Sequence, residues 1–270
     1  LYINNYTHNV FNNTSKNIRQ FPSFEDFEDN LDFTFEEQTN EMKKKLINKT
    51  IKNWITLQKK INLDNKFKLF KTHNLLAKFT IENKEYSFTD LQNTIGVIHI
   101  VRDPRSIVTS LKNHFSLNTE EEAVKMIINS ETWSGLKHKN TIPNFFSSWS
   151  NHYNSWKRFP KNNLLIKYED ILKNPELVIK KIIIFLKKFF NLKVDDKRIK
   201  DIIEKTSFDN FKKNENNGKF NENAMGTKKN EKINFFYLGP NNNWKKLLGR
   251  DTVSKIENNF KIEMKELNYI

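Results

Sequence analysis

Apolar and polar positions along this chain change period from segment to segment, and the changes mark out its elements. Residues 23–66 open acidic (Glu25, Asp26, Glu28, Asp29) and turn Lys-rich, with Trp54, Leu57 and Ile61 at helical spacing; the pattern predicts helix. Residues 67–71 read as a short strand that leaves through the polar Thr72-His73-Asn74. Residues 95–101 are an apolar run of strand length between polar, turn-forming neighbours, which predicts a buried parallel strand. Asp103-Pro104 then starts a helix, because Asp is a good N-cap and Pro suits the first helical position; Ile107, Val108 and Leu111 supply its apolar face.

Residues 114–160 read as helical, aromatic-rich in their second half (Phe145, Phe146, Trp149, Tyr153, Trp156). Residues 164–168 read as another short buried strand. Asn174-Pro175-Glu176 caps a helix with Val178, Ile179, Ile182 and Leu186 on one face, and Ile199, Ile202 and Ile203 mark one more, ending near Thr206. Residues 212–232 are almost wholly polar and read as a mobile loop, while residues 251–267 read as a terminal amphipathic helix. No internal repeat is visible. Strands alternating with helices predict an α/β fold, a central parallel sheet with helices on both faces.

Composition narrows the classes. A chain of 270 residues with 37% hydrophobic and 29% charged residues has enough apolar material for a packed core. The net charge of +14 fits either a solvated lysine-rich surface or a polyanionic ligand, nucleic acid or a multiply phosphorylated nucleotide. The absence of cysteine excludes disulfides, thiolate zinc sites and a cysteine nucleophile, and fits a reducing, cytoplasmic setting. No apolar run approaches the roughly 18 residues of a membrane span.

The candidate chemistry starts where the strand at 95–101 ends. Open α/β sheets bind ligands beyond the carboxyl ends of their strands, and Arg102 stands at such an end. Ser110 lies two turns into the next helix, and an arginine fork with a hydroxyl suits a phosphate monoester. Spacing alone supports equally an Arg102 paired with Asp103 or Asp170 and a serine on the helix surface.

The segment Arg102-Asp103-Pro104-Arg105-Ser106-Ile107-Val108-Thr109-Ser110 resembles the 3′-phosphate-binding segment of the cytosolic-type sulfotransferases, which use 3′-phosphoadenosine 5′-phosphosulfate (PAPS) and leave 3′-phosphoadenosine 5′-phosphate (PAP). In that family the opening arginine and closing serine hold the 3′-phosphate. Lys71-Thr72-His73 is similar to the family's strand-end Lys-Thr-His, in which the histidine is the general base and the lysine sits near the transferring group. Tyr168 in Lys167-Tyr168-Glu169-Asp170, and Thr206 and Phe208 in Thr206-Ser207-Phe208, match positions that contact the adenine in the family. Phe235-Phe236-Tyr237-Leu238-Gly239 with Trp244 resembles the family's Phe-x-Arg-Lys-Gly followed by tryptophan. Tyr237 and Leu238 replace its two basic residues, so the arginine contact to the 3′-phosphate is in question, with Lys228, Lys229 and Lys245 as substitutes. His99, His114, His138 and His152 are read as structural.

The resemblance implies a single sulfotransferase domain over residues 1–270, with a P-loop-type sheet. The family's Pro-Lys-Ser-Gly-Thr-Thr-like loop, which cradles the 5′-phosphosulfate at a helix N-terminus, has no counterpart in these residues. The chain starts at Leu1 rather than Met, so the first strand and loop are expected upstream, and the 270 residues alone are expected to transfer little or nothing. The implied acceptor is a hydroxyl or amine of a small molecule, glycan or lipid; no metal and no nucleic acid is called for, and a homodimer stays open. The rival readings are a PAP-binding homologue without turnover, a P-loop nucleotide kinase, and a basic nucleic-acid-binding protein, whose aromatics would have to form an exposed platform.

Overall fold

The structure is a computed structural model, and it describes residues 19–23, 39–61, 68–136, 142–219, 224–225 and 232–270. The described elements run β1 (Arg19–Gln20), α1 (Asn40–Ile61), β2 (Phe70–Lys71), β3 (Lys78–Ile81), β4 (Lys84–Ser87), β5 (Gly96–Val101), α2 (Pro104–His114) and α3 (Glu120–Ile128). They continue with β6 (Trp133–Ser134), β7 (Asn144–Phe145), α4 (Trp149–Lys157), β8 (Asn162–Lys167), α5 (Tyr168–Lys173), α6 (Pro175–Leu186) and α7 (Asp196–Lys205). The last are α8 (Phe208–Asn216), β9 (Ala224–Met225), β10 (Lys232–Ile233), α9 (Trp244–Leu247), α10 (Arg250–Asn259) and α11 (Lys261–Glu266). The fold is mixed α/β, as the alternation predicts. β1 pairs with β2 in parallel, and β5 lies beside β8.

The chain divides into two compact units, Leu1–His99 with Ser130–Leu164 and Ile100–Asn129 with Leu165–Ile270. The first packs around aromatic rings. Trp54 of α1, Phe21, Phe70 of β2, Phe88 and Trp156 of α4 form one buried cluster, with Phe88 edge-on to Trp54 at 5.2 Å and to Trp156 at 6.0 Å. Trp149, Tyr153 and Trp156 are buried on α4, so these aromatics form core. The buried Gln58 binds this layer to the loop after β4, donating to the Phe88 carbonyl at 2.6 Å and accepting from the Thr89 hydroxyl at 2.6 Å.

In the second unit α2 packs on α3 and α10, and α6 on α7. Val108, Val124, Ile256 and Met264 are fully buried there. The caps are those the sequence announces: Asp103 accepts from the Arg105 N–H at 2.9 Å ahead of Pro104, and Asn174 accepts from Leu177 at 3.1 Å ahead of Pro175.

Several boundaries differ from the sequence reading. Residues 114–160 are broken: α2 ends at His114, α3 occupies Glu120–Ile128, and β6 and β7 form an antiparallel pair before Ser148 caps α4. Gly135 explains the break, since its φ is +77° and a Cβ there would meet the Ile142 carbonyl oxygen at 2.5 Å. In the antiparallel hairpin β3–β4, burial alternates along β3, with Phe79 and Ile81 less exposed than Lys78 and Thr80, but not along β4. Tyr168 opens α5 rather than closing a strand, and the terminal helix is two, α10 and α11. The polar stretch 212–232 begins as the last turns of α8, and β9 pairs antiparallel with β10 across it. Lys228, Lys229 and His138 lie outside the described residues.

Candidate nucleotide site and strand-end histidine

In the second unit the turn after β5 sets the site. Arg102 leaves the strand and its Nη1 donates to Ser110 Oγ at 3.0 Å, so the two residues singled out by spacing meet. The guanidinium lies over the Tyr168 ring, 4.3 Å from its centroid. Burial lowers the Arg102 pKa, opposed by the nearby Tyr168 and Glu169; an anion set against this cation would offset the cost of burying it.

Asp103 does not decide the matter against a ligand, because its carboxylate is committed to Arg105. The Arg105 side chain reaches Asp103 Oδ2 at 2.7 Å and Glu257 Oε1 at 2.5 Å, donates to the Tyr269 carbonyl at 2.8 Å, and stacks on Trp244 at 3.9 Å. The Asp103 N–H donates to Glu169 Oε1 at 3.0 Å, and the Tyr269 hydroxyl donates to Glu169 Oε2 at 2.8 Å. Burial pushes the Tyr269 phenol far above its ordinary value, so it stays a donor. Arg105, absent from the sequence-level site, is thus the bolt of the Arg102 turn. Asp170 is exposed.

Thr206 and Phe208 form the junction between α7 and α8. Ser207 caps α8, and the Thr206 hydroxyl donates to Ile202 O at 2.7 Å. Phe208 meets Gly239 directly: a Cβ on Gly239, whose φ is +52°, would lie 2.2 Å from the Phe208 ring. Glycine is required there both by the backbone and by the ring. Phe236 stands between Phe208, at 6.0 Å, and Phe235, at 5.2 Å, and Phe235 also packs edge-on to His114. Fully buried Glu215 of α8 holds this strip by accepting from the Phe235 and Phe236 N–H groups at 2.5 and 3.0 Å.

Asn242 joins the two groups of residues. Its Oδ1 accepts from the Thr109 hydroxyl at 2.8 Å and its Nδ2 donates to Ser106 O at 3.0 Å, while its N–H donates to Gly239 O at 3.2 Å. Tyr168, Arg102, Ser110, Asn242, Gly239 and Phe208 are therefore linked in one run, with Thr206 two residues from its end. Neither Glu215 nor Asn242 was foreseen; in an Asn-rich chain a single asparagine gives no signal. Lys245 is exposed and sits over Trp244 at 5.6 Å.

Lys71 and His73 belong to the first unit. Lys71 ends β2, and its carbonyl accepts from Phe21 N–H at 2.8 Å. His73 is exposed, edge-on to Phe146 at 5.9 Å, and the His152 imidazole hydrogen-bonds its backbone. The next residue is a buried anchor. Asn74 donates through Nδ2 to Asn144 Oδ1 at 2.8 Å, accepts from Phe145 N–H at 2.8 Å, and its carbonyl accepts from Trp156 Nε1 at 2.9 Å. The strand-end histidine is thus carried on a fixed backbone.

Among the described residues no group of three His, Cys, Asp or Glu side chains is placed to hold a metal ion, and no helix is long and apolar enough to cross a membrane.

A sulfotransferase domain family model matches residues 8–268, and the chain belongs to that family. Two curated relatives are Sulfotransferase 1B1 of Canis lupus familiaris, 29% identical over 126 residues, and Sulfotransferase 1A1 of Rattus norvegicus, 27% identical over 158 residues. These matches cover 46% and 54% of this chain and 39% and 46% of the relatives, so the chain spans less than half the length of either. Among solved structures, mouse sulfotransferase SULT7A1 complexed with PAP aligns with a TM-score of 0.54 at 21% identity, over 77% of this chain and 69% of that one. Retinol dehydratase in complex with androsterone and inactive cofactor PAP aligns with a TM-score of 0.50 at 21% identity, over 73% and 53%. The fold is that of these proteins.

Proposed function

We propose that this chain is a single sulfotransferase domain whose second unit binds PAPS and whose His73 serves as general base. The observation that carries the reading is Arg102 against Ser110 at 3.0 Å with Tyr168 beneath the guanidinium, on the family's own segment. Arg102 and Ser110 would grip the 3′-phosphate through charge-assisted hydrogen bonds. Tyr168, Thr206, Phe208 and Phe235 would border the adenine, and the Gly239 N–H would face phosphate.

In the reaction, His73 accepts the proton of an acceptor hydroxyl while the acceptor oxygen forms its bond to sulfur. The bond from sulfur to the 5′-phosphate oxygen breaks, and PAP leaves with that electron pair. Lys71 offsets the charge growing on the bridging and equatorial oxygens, as cations do in phosphoryl transfer. The acceptor class is a small molecule or a glycan or lipid hydroxyl.

Calorimetric titration with PAP tests the donor site. The protein should bind one PAP, and Arg102→Ala should weaken it by about 10- to 100-fold, the worth of a hydrogen bond to a charged group. Unchanged affinity in Arg102→Ala would remove the basis of the proposal. A second reading, PAP binding without turnover, is favoured by Tyr237 and Leu238 in place of the basic pair. Incubation with sulfur-labelled PAPS and a panel of hydroxyl acceptors separates the two, and transfer by these 270 residues would rule out the second.

A further inference from the structure

Asn242 sits at the 3′-phosphate end of the run just described, on the turn that also carries Gly239. Its amide orientation is fixed by its neighbours. Ser106 O can only accept, so the amide nitrogen must face it at 3.0 Å, leaving Oδ1 for the Thr109 hydroxyl at 2.8 Å. The nitrogen carries two protons. One serves Ser106 O; the other points toward Ser110 Oγ at 3.4 Å, beyond the range of a good hydrogen bond. Ser110 Oγ is the atom that accepts from Arg102 at 3.0 Å and donates to the same Ser106 carbonyl at 3.2 Å. That carbonyl is shared by the Ser110 hydroxyl and the Asn242 amide, while the single Thr109 proton serves Asn242 Oδ1. A strong anionic acceptor beside Arg102 and Ser110 would take the Ser110 proton, leaving Ser106 O to the first Asn242 proton, and would give the second Asn242 proton a nearer partner than Ser110 Oγ.

We propose that the Asn242 side-chain amide is a third ligand of the 3′-phosphate, supplying through a neutral N–H the contact that the basic residues missing at Tyr237 and Leu238 would have made. The inference rests on the reading that Arg102 and Ser110 hold that phosphate. A neutral donor in place of a cation also sets the character of the site: recognition there depends on hydrogen-bond geometry more than on net charge.

The test compares PAP with adenosine 5′-phosphate, which lacks only the 3′-phosphate, by calorimetry on the full chain. The unaltered protein should prefer PAP. Asn242→Ala should lower PAP affinity about tenfold and leave adenosine 5′-phosphate within about twofold. Asn242→Asp keeps the oxygen that faces Thr109 but sets a carboxylate oxygen against both the Ser106 carbonyl and the phosphate, so PAP affinity should fall roughly a hundredfold and adenosine 5′-phosphate affinity, which reports only the lost Ser106 contact, by no more than about tenfold. Should the alanine variant unfold, the ratio of PAP to adenosine 5′-phosphate affinity in the aspartate variant gives the reading. Equal losses for both nucleotides would mean that Asn242 only clasps the turn to α2, and an unchanged preference in both variants would equally overturn the proposal. No preference in the unaltered protein would instead strike the Arg102–Ser110 reading beneath it.

Discussion

At the scale of single residues, the histidines divide by burial. His73 is exposed on its strand end, while His99 is buried against His152 and Tyr153. Burial, aided by the neighbouring His152, pushes the His99 pKa down to about 3. Burial also lowers His152 to about 4, against the opposing hydrogen bond to the His73 backbone. His152 is partly exposed, so His99 should dominate the effect. Both folded-state values lie below the ordinary histidine value of 6.5. The unfolded chain therefore binds more protons below that pH, and stability present above it is lost as pH falls toward the folded values. The carboxylates held low by lysine partners (Glu41, Glu121, Glu176, Asp201) act only below pH 4.5 and do not enter this window. Denaturant unfolding should show stability falling by roughly 2–3 kcal/mol between about pH 7.5 and 5. His99→Phe should flatten most of that fall; an unaltered slope would place its origin elsewhere.

At the scale of elements, what could be read from sequence was local. The helical period of α6 and α7 and the caps at Asp103 and Asn174 depend on residues three or four apart, and they appear where the pattern put them. Of the helix read over 23–66, Asn40–Ile61 is α1, and residues 24–38 and 62–67 lie outside the described residues. The hairpins β3–β4 and β6–β7 were not legible, because the alternation of β3 spans only four residues, β4 shows none, and β6 and β7 have two residues each, too few for a period. Helical spacing of Phe145, Trp149, Tyr153 and Trp156 carried the helix reading too far back, although Gly135 and Pro143 were available breakers. Among the candidate residues, Arg102, Ser110 and Tyr168 were named by family motifs and meet in the structure, whereas Glu215 and Asn242 act on backbone groups 20 or more positions away, which no local pattern encodes. Glu215 shows the consequence. Its buried carboxylate takes two backbone N–H groups of the strip that leads to Gly239. Glu215→Ala strands both donors and should cost about 2–4 kcal/mol, seen as a melting temperature lower by roughly 5–10 °C. PAP affinity should fall with it; a shift under about 2 °C would show that the strip is held by its aromatic packing instead.

At the scale of the molecule, the candidate residues are partitioned. Every proposed nucleotide ligand lies in Ile100–Asn129 or Leu165–Ile270, and Lys71 and His73 lie in Leu1–His99. The second unit is bolted through Arg105, Glu169 and Tyr269, so the geometry of the proposed nucleotide ligands is set by that unit's own contacts. Binding and proton transfer should then separate in mutants. His73→Ala removes the proposed base, whose partner is the acceptor, so PAP affinity should stay within about twofold, while Arg102→Ala should lose ten times or more. Catalysis in any form of the protein that turns over should respond in the opposite sense, with His73→Ala lowering kcat and leaving the KM for PAPS nearly unchanged. A large loss of PAP affinity in His73→Ala would show that the strand-end histidine belongs to the donor site, and the partition would have to be redrawn. With a net charge of +14, long-range attraction of polyanions is expected in every variant. Titrations are therefore best compared at about 0.15 M salt, where a Debye length near 8 Å leaves mainly the contacts of the site itself.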